Sequence, residues 1–227
     1  MAVFSESFKD GVRAVAPVTP TIFSIFMGFG ISASLAGVPA SATMLMSALI
    51  YAVPAQYAIL DVATGGAAGI IQLALVGAMA NLRFFVMGMW MAQAFRGTPL
   101  KRALSLCHFV AATPFLLLFL KSKKRDGTDL FEFYKGISAV LPVPSMLGTA
   151  TGIAIGAALP GPLKFGAALF MPIYFGILLA SELKGKPEMA AVGLGAALTP
   201  VAEALAPGWG LLLGPAATGA LVTAVWR

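Results

Sequence analysis

Asn81 is the chain's single asparagine, and it stands two residues before Arg83 inside an apolar stretch, about Ala67 to Gln93. A charge at the centre of a bilayer costs roughly 2.5–3.5 kcal/mol on insertion scales, so such a group reaches the headgroups or serves a polar path. Both readings stand for Arg83: a side chain that snorkels to the surface, or one that gates a path and attracts an anion. A second set is Ser47, Tyr51, Pro54 and Asp61, whose spacings of four, three and seven share one helix face. Gln56 falls on the opposite face of a straight helix. Pro54 argues against a straight helix, because it lacks an N–H and crowds the carbonyl of Ile50. A helix opened there exposes backbone amides and carbonyls, which bind a zwitterion without any ionised side chain; a tolerated kink is the alternative. Thr149 and Thr151 either line the same path or bond back to carbonyls four residues earlier.

These residue types suit recognition of a small polar solute, with Gln56 and Asn81 orienting it by hydrogen bonds. They do not suit bond-making, and we expect no enzyme and no cofactor. The sequence offers no intramembrane carboxylate pair, no serine with a histidine near it in the repeats, and no histidine set for a metal. Asp126, Asp129 and Glu132 mimic a magnesium cluster, but Lys123, Lys124 and Arg125 compete for the carboxylates and a solvated loop is the better reading. Glu203, near a helix end before Pro207, reads as an interface residue rather than a proton carrier.

The elements that must position these groups are membrane helices. Of 227 residues only 11% are charged and 59% are hydrophobic, against about 25% charged in soluble domains. The apolar runs are about 20 residues long and do not alternate, which selects helices over a barrel. The net charge of +6 comes from basic residues in short loops, a topology signal rather than a nucleic-acid surface. Cys107 stands alone, which excludes an internal disulfide. The N-terminus has no basic region before an apolar core, so no cleaved leader is expected.

One helix is present twice. Pro20–Gly37 returns 124 positions later as Pro144–Gly161, with six identities in eighteen positions. Ser24, Gly28 and Ser32 fall on Gly148, Gly152 and Gly156, so both copies carry a ridge of small residues at four-residue spacing. Such ridges let helices pack closely in lipid. The expected fold is an all-α polytopic membrane bundle of two structural repeats. Residues 1–227 form a single membrane domain, with one half over about 17–95, a connector over 96–129 and a second half over 130–227. Residues 1–16 read as an amphipathic lead-in, and 41–63 as a crossing span. If 103–120 dips in and returns, there are seven spans, the N-terminus is outside and the repeats are inverted. If it crosses, there are eight, the N-terminus is inside and the copies point the same way. Residues 103–120 are apolar but carry Pro114 and His108, the single histidine, and Pro114 with the basic residues on both sides favours seven.

Certain short strings carry a family resemblance: Gly11, Arg13 and Pro17; Gly28 and Gly30; Met46-Ser47; Ala55-Gln56; Asn81-Leu82-Arg83; Gly136; and Gly148-Thr149 with Gly152. With these the chain resembles the AzlC family of branched-chain amino acid exporters. The resemblance implies a secondary transporter subunit of the inner (plasma) membrane, multi-pass, exporting small neutral amino acids with a small AzlD-like membrane partner. Association with further copies of the chain is left open. The site then lies between the paired helices, lined by Gly28, Ser47, Tyr51, Pro54, Gln56, Asn81, Thr149 and Thr151, with Arg83 and Asp61 as charged groups. Three departures stand out. Phe84 replaces the family's histidine after Asn-Leu-Arg, Ala111, Ala112 and Thr113 replace an acidic stretch, and Pro142–Pro144 replaces an aromatic residue. They leave open a non-transporting structural or regulatory subunit.

Overall fold

The computed structural model describes residues 5–65, 69–124, 127–160, 185–206 and 209–225, with isolated positions between 163 and 183; the side chains of residues 83, 211 and 212 are not among those described. The span expected near Leu163–Leu183 therefore lies largely outside the described residues. Every described element is helical.

Helix α1 (Glu6–Val15) runs through a 3-10 turn at Ala16–Val18 into α2 (Thr19–Leu35). Together they form one 30-residue apolar helix, Glu6–Leu35, about 45 Å long at 1.5 Å per residue. The expected lead-in is thus the first third of a membrane-length helix. Its counterpart is α9 (Leu130–Val140) with α10 (Pro142–Ala158), 29 residues over Leu130–Ala158. Ser5 caps α1 and Asp129 caps α9, each through its side-chain oxygen, which satisfies amides the helix cannot.

The two long helices lie side by side. An added Cβ on Gly11 would strike the Phe133 carbonyl, and one on Gly136 would strike the Phe8 carbonyl, a reciprocal contact. Farther along, Gly148 meets Phe23, Gly152 meets Met27 and Gly156 meets Ile31, while Gly30 meets Thr149. Contacts advance together on both helices, and the Asp129 N–H donates to Ser7 Oγ at their start. The copies therefore run parallel, and the inverted relation is corrected. The ridge on α10 is as read; on α2 the seam runs through Gly30 and the carbonyls of Phe23, Met27 and Ile31. Ser24 Oγ turns back to the Pro20 carbonyl, and Ser32 Oγ meets Tyr57 OH.

The reason for the parallel relation is a hairpin. The expected crossing span 41–63 is two helices, α3 (Ala40–Leu49) and α4 (Val53–Thr64), broken at 50–52. Ser47 touches Thr149 and Tyr51 touches Ser145, so α3 runs down α10 against its direction. Tyr51 packs on Phe26, whereas Tyr57 packs on Phe29 and bonds Ser32, so α4 climbs α2 in its own direction. This segment enters and returns instead of crossing.

Next, α5 (Ile70–Ala80) and α6 (Leu82–Ala94) form a candidate span bent by 52° at its middle. It brings Phe95 to Phe131 and Tyr134, near the start of α9. From there α7 (Leu100–Ser105) and a 3-10 turn at Cys107–Phe109 lead inward to Tyr51. Helix α8 (Ala112–Lys123) leads back to Lys121, which pairs with Asp10 at 3.3 Å. Residues 100–123 are thus a second hairpin, entering from the end where α1 and α9 begin. The basic residues Lys9, Arg102 and Lys121 gather at that end with the start of α1, contrary to an N-terminus opposite the basic loops. Finally, α11 (Lys186–Leu205) and α12 (Gly210–Val225) pack on each other, with Glu203 Oε2 accepting from the Gly210 N–H at 2.8 Å. Among the described residues, three helices are long and apolar enough to cross a membrane, and the bent pair makes four if it is one span.

Gly152→Val is expected to force α2 and α10 apart and to cost about 1–3 kcal/mol. Gly88→Ala has no atom within 4 Å of the new Cβ and is expected to gain about 0.5–1 kcal/mol of helix propensity. Melting curves of the detergent-purified proteins check both.

Candidate functional site

The two hairpin tips meet. Tyr51, in the first, has φ 48°, the one non-glycine residue at positive φ among those described. That conformation costs about 1–3 kcal/mol and persists only where surroundings hold it. They do: its ring packs against Phe26, Phe109 and His108, and its hydroxyl bonds Ser145 Oγ at 3.0 Å.

Between the tips is a cavity of about 180 Å³. The first tip contributes Tyr51, Ala52, Val53 and Pro54, and the second Ala111, Ala112, Thr113 and Pro114. Ile22, Ile25 and Phe26 of α2 form another wall. Phe84, three residues past the α5–α6 joint, and Leu141, at the α9–α10 joint, complete it. Residues at or near four of the helix breaks face this space, whereas the 3-10 turn at Ala16–Val18 does not. Among the described residues, no lining side chain carries a carboxylate, amine, guanidinium or imidazole, and Tyr51 and Thr113 supply the side-chain hydroxyls.

Its polarity comes from backbone. Helix α4 begins at Val53 after Ala52, and α8 at Ala112 after Ala111, and neither has a side-chain cap. A helix start leaves its first amides without internal partners and carries a partial positive charge. Pro54 and Pro114 sit in these first turns, where a missing N–H costs nothing. At the end of α3 the carbonyls of the last turn lose their partners, because the chain leaves the helix at Ile50.

Behind the cavity lies a buried polar relay. Gln56 Nε2 donates to Ser47 Oγ at 3.1 Å, Ser47 Oγ meets Thr149 Oγ1 at 2.8 Å, and Thr149 Oγ1 donates to the Ser145 carbonyl at 3.0 Å. Ser47, Gln56, Ser145 and Thr149 are all 0% exposed. The hairpin turn is what brings Gln56 to Ser47; on a straight helix they would stand on opposite faces. Gln56 Oε1 is buried without a hydrogen-bond partner, and so is Asn81 Oδ1 at the α5–α6 joint.

Of the residues singled out by sequence, Tyr51 and Pro54 line the cavity, Ser47, Gln56 and Thr149 form the relay, and Asn81 sits at the joint leading to Phe84. Gly28 is buried in α2, Thr151 is half-buried on α10, and Asp61 is exposed on α4. Arg83 lies in the first turn of α6, and its side chain is outside those described. Ser145 and His108 were missed. Ser145 carries no signal beyond being one turn before Thr149. His108 carried one, as the single histidine in an apolar segment between basic flanks, but its partner was not readable. Phe84 and Ala111–Thr113, noted only as departures, line one cavity with Leu141 beside Pro142.

The long apolar helices define a helical membrane protein, and a family match relates it to transport. The family model described as AzlC protein matches residues 17–159, more than half of the chain, and the chain belongs to the AzlC family. The match spans α2 to α10 and so every residue lining the cavity. No curated protein and no solved structure matches the chain.

Ser47→Ala removes the middle of the relay and is expected to cost about 1–3 kcal/mol, because Gln56 is left buried and unbonded. A double-mutant cycle with Thr149→Val is expected to give a coupling of about 0.5–3 kcal/mol, read from melting or denaturant curves.

Proposed function

We propose that the chain is the large subunit of a secondary transporter that exports small neutral amino acids, the branched-chain ones first, by alternating access. The observation that carries this is the cavity between the hairpin tips, apolar in its side chains and polar in its backbone. A zwitterion with an apolar tail matches both properties. The carboxylate accepts from the first-turn amides of α4 and α8, and the ammonium donates to carbonyls freed at the end of α3. The tail lies against Ile22, Phe26 and Phe84. Gln56 and Asn81 each have an unused buried oxygen and orient the substrate, directly or through the relay. Arg83 attracts the carboxylate on its way in, and Asp61 stands apart from the site.

In this reading the chain lies multi-pass in the inner membrane, with the end that gathers Lys9, Arg102 and Lys121 in the cytoplasm by the positive-inside rule. The parallel long helices are the repeated elements, and the hairpins are the moving parts. A small AzlD-like partner completes the transporter, and neither chemistry nor a cofactor is involved.

One observation favours a second reading, a subunit that stabilises a partner without carrying solute. The departures Phe84 and Ala111–Thr113 gather at the cavity, whose described lining holds no carboxylate, amine, guanidinium or imidazole for coupling.

Proteoliposomes loaded with labelled leucine or valine, with and without the small partner and a pH gradient, decide between them. Transport that needs the partner supports the first reading; a folded complex that moves neither supports the second. Ala112→Leu, which adds three carbons inside the cavity, is expected to cut leucine transport about tenfold or more while the melting temperature stays near that of the unaltered protein.

A further inference from the structure

The second hairpin touches the first through a residue that the transport reading leaves unused. His108 Nε2 lies 2.8 Å from the Ala48 carbonyl oxygen. A carbonyl only accepts, so Nε2 carries the proton and donates. Ala48 is in the last turn of α3, and the helical partner of its carbonyl would be the amide of Ala52. That residue has left the helix, with φ −141° and ψ 95°, and serves as the cap of α4. The break that shapes the cavity therefore frees the very carbonyl that His108 takes up. The imidazole also lies 5.7 Å from the Tyr51 ring and 5.1 Å from that of Phe109, centroid to centroid. Phe109 in turn is held from the far side, where Tyr134 OH donates to its carbonyl at 2.8 Å. The second tip is thus anchored to α9 by Tyr134 and to the first tip by His108.

We propose that His108 is the positioning residue that holds the two hairpin tips together and so fixes the separation of the cavity walls they form. The inference rests on the transport reading only for its consequence. Tyr51–Pro54 and Ala111–Pro114 both line the cavity, and each stretch continues directly into one end of the His108–Ala48 bond. Separating the two hairpins breaks that bond. A glutamine at 108 can place an amide N–H close to where Nε2 stands; alanine or leucine cannot.

Two readouts test this, and only one needs transport. Nitroxides on the native Cys107, exposed beside His108, and on a Leu49→Cys variant, exposed beside Ala48, report the separation of the tips by pulsed electron resonance. In this background His108→Ala is expected to shift the distribution to longer distances. The tips-together population should fall about tenfold, the scale of one lost hydrogen bond, and His108→Gln should restore it. In proteoliposomes His108→Ala is expected to move leucine without coupling to the gradient, whereas His108→Gln keeps the coupling of the unaltered protein. Melting curves confirm that each variant is folded. Unchanged distances in a folded His108→Ala protein would overturn the proposal, and so would glutamine behaving like alanine. If none of the proteins transports leucine, the export reading fails while the distances still decide on His108.

Discussion

A backbone that leaves its helix inside a membrane must find partners within the protein, because lipid offers none. This constraint organises the whole core. The chain breaks between α3 and α4, between α5 and α6, before α8 and between α9 and α10, and all four breaks turn toward the same space. Dispersed along the lipid face, each would expose amides and carbonyls at a cost of several kcal/mol. Gathered, they satisfy one another in part and leave a remainder of donors and acceptors lining a cavity. The cavity is what remains when the breaks are hidden, so site and fold are one solution to one problem.

What makes the gathering affordable is the glycine seam between the long helices. Gly148, Gly152 and Gly156 of α10, with Gly30 of α2, bring the two backbones into contact, and Gly11 and Gly136 do the same for α1 and α9. In lipid, helix association depends on such packing rather than on expulsion of water. The paired helices then act as a fixed wall on which both hairpins rest, α3 along α10, α4 along α2 and α8 along α9. The relay from Gln56 through Ser47 to Thr149 ties the first hairpin to that wall. The second is tied by the Tyr134 hydroxyl and the Lys121–Asp10 pair.

Much of this was legible in the sequence. Composition alone demanded membrane helices, and the small-residue ridge of Gly148, Gly152 and Gly156 marked a packing face. Pro54 announced the break, and the contradiction of placing Gln56 opposite Ser47 hinted that the helix was not straight. What could not be read was the sharpness of the turn. A proline specifies a lost hydrogen bond, not an angle, and a segment of twenty-odd apolar residues satisfies the length of a crossing span as well as that of two half-helices. The inverted arrangement joined that ambiguity to a dipping 103–120. With 103–120 dipping, a crossing 41–63 makes the copies oppose, and a folded-back one makes them run parallel. Sequence identity between repeats is blind to direction.

The second hairpin shows the same limit from the other side. The basic flanks of 103–120 and Pro114 mark a segment that dips and returns, but a dip has no partner written into it. His108 could be noticed only as a costly residue in an apolar run. Its meaning depends on a carbonyl sixty residues away, freed by a break whose geometry the sequence does not state. Long-range polar pairs of this kind are set by where two backbones stop being helical. The residues that shape the cavity and its contacts, Tyr51 at its unusual φ, Ala111 in extended conformation and His108 against Ala48, are therefore those where local propensity is overridden by the convergence of the breaks. A membrane protein's site becomes readable from sequence to the extent that its helix breaks do.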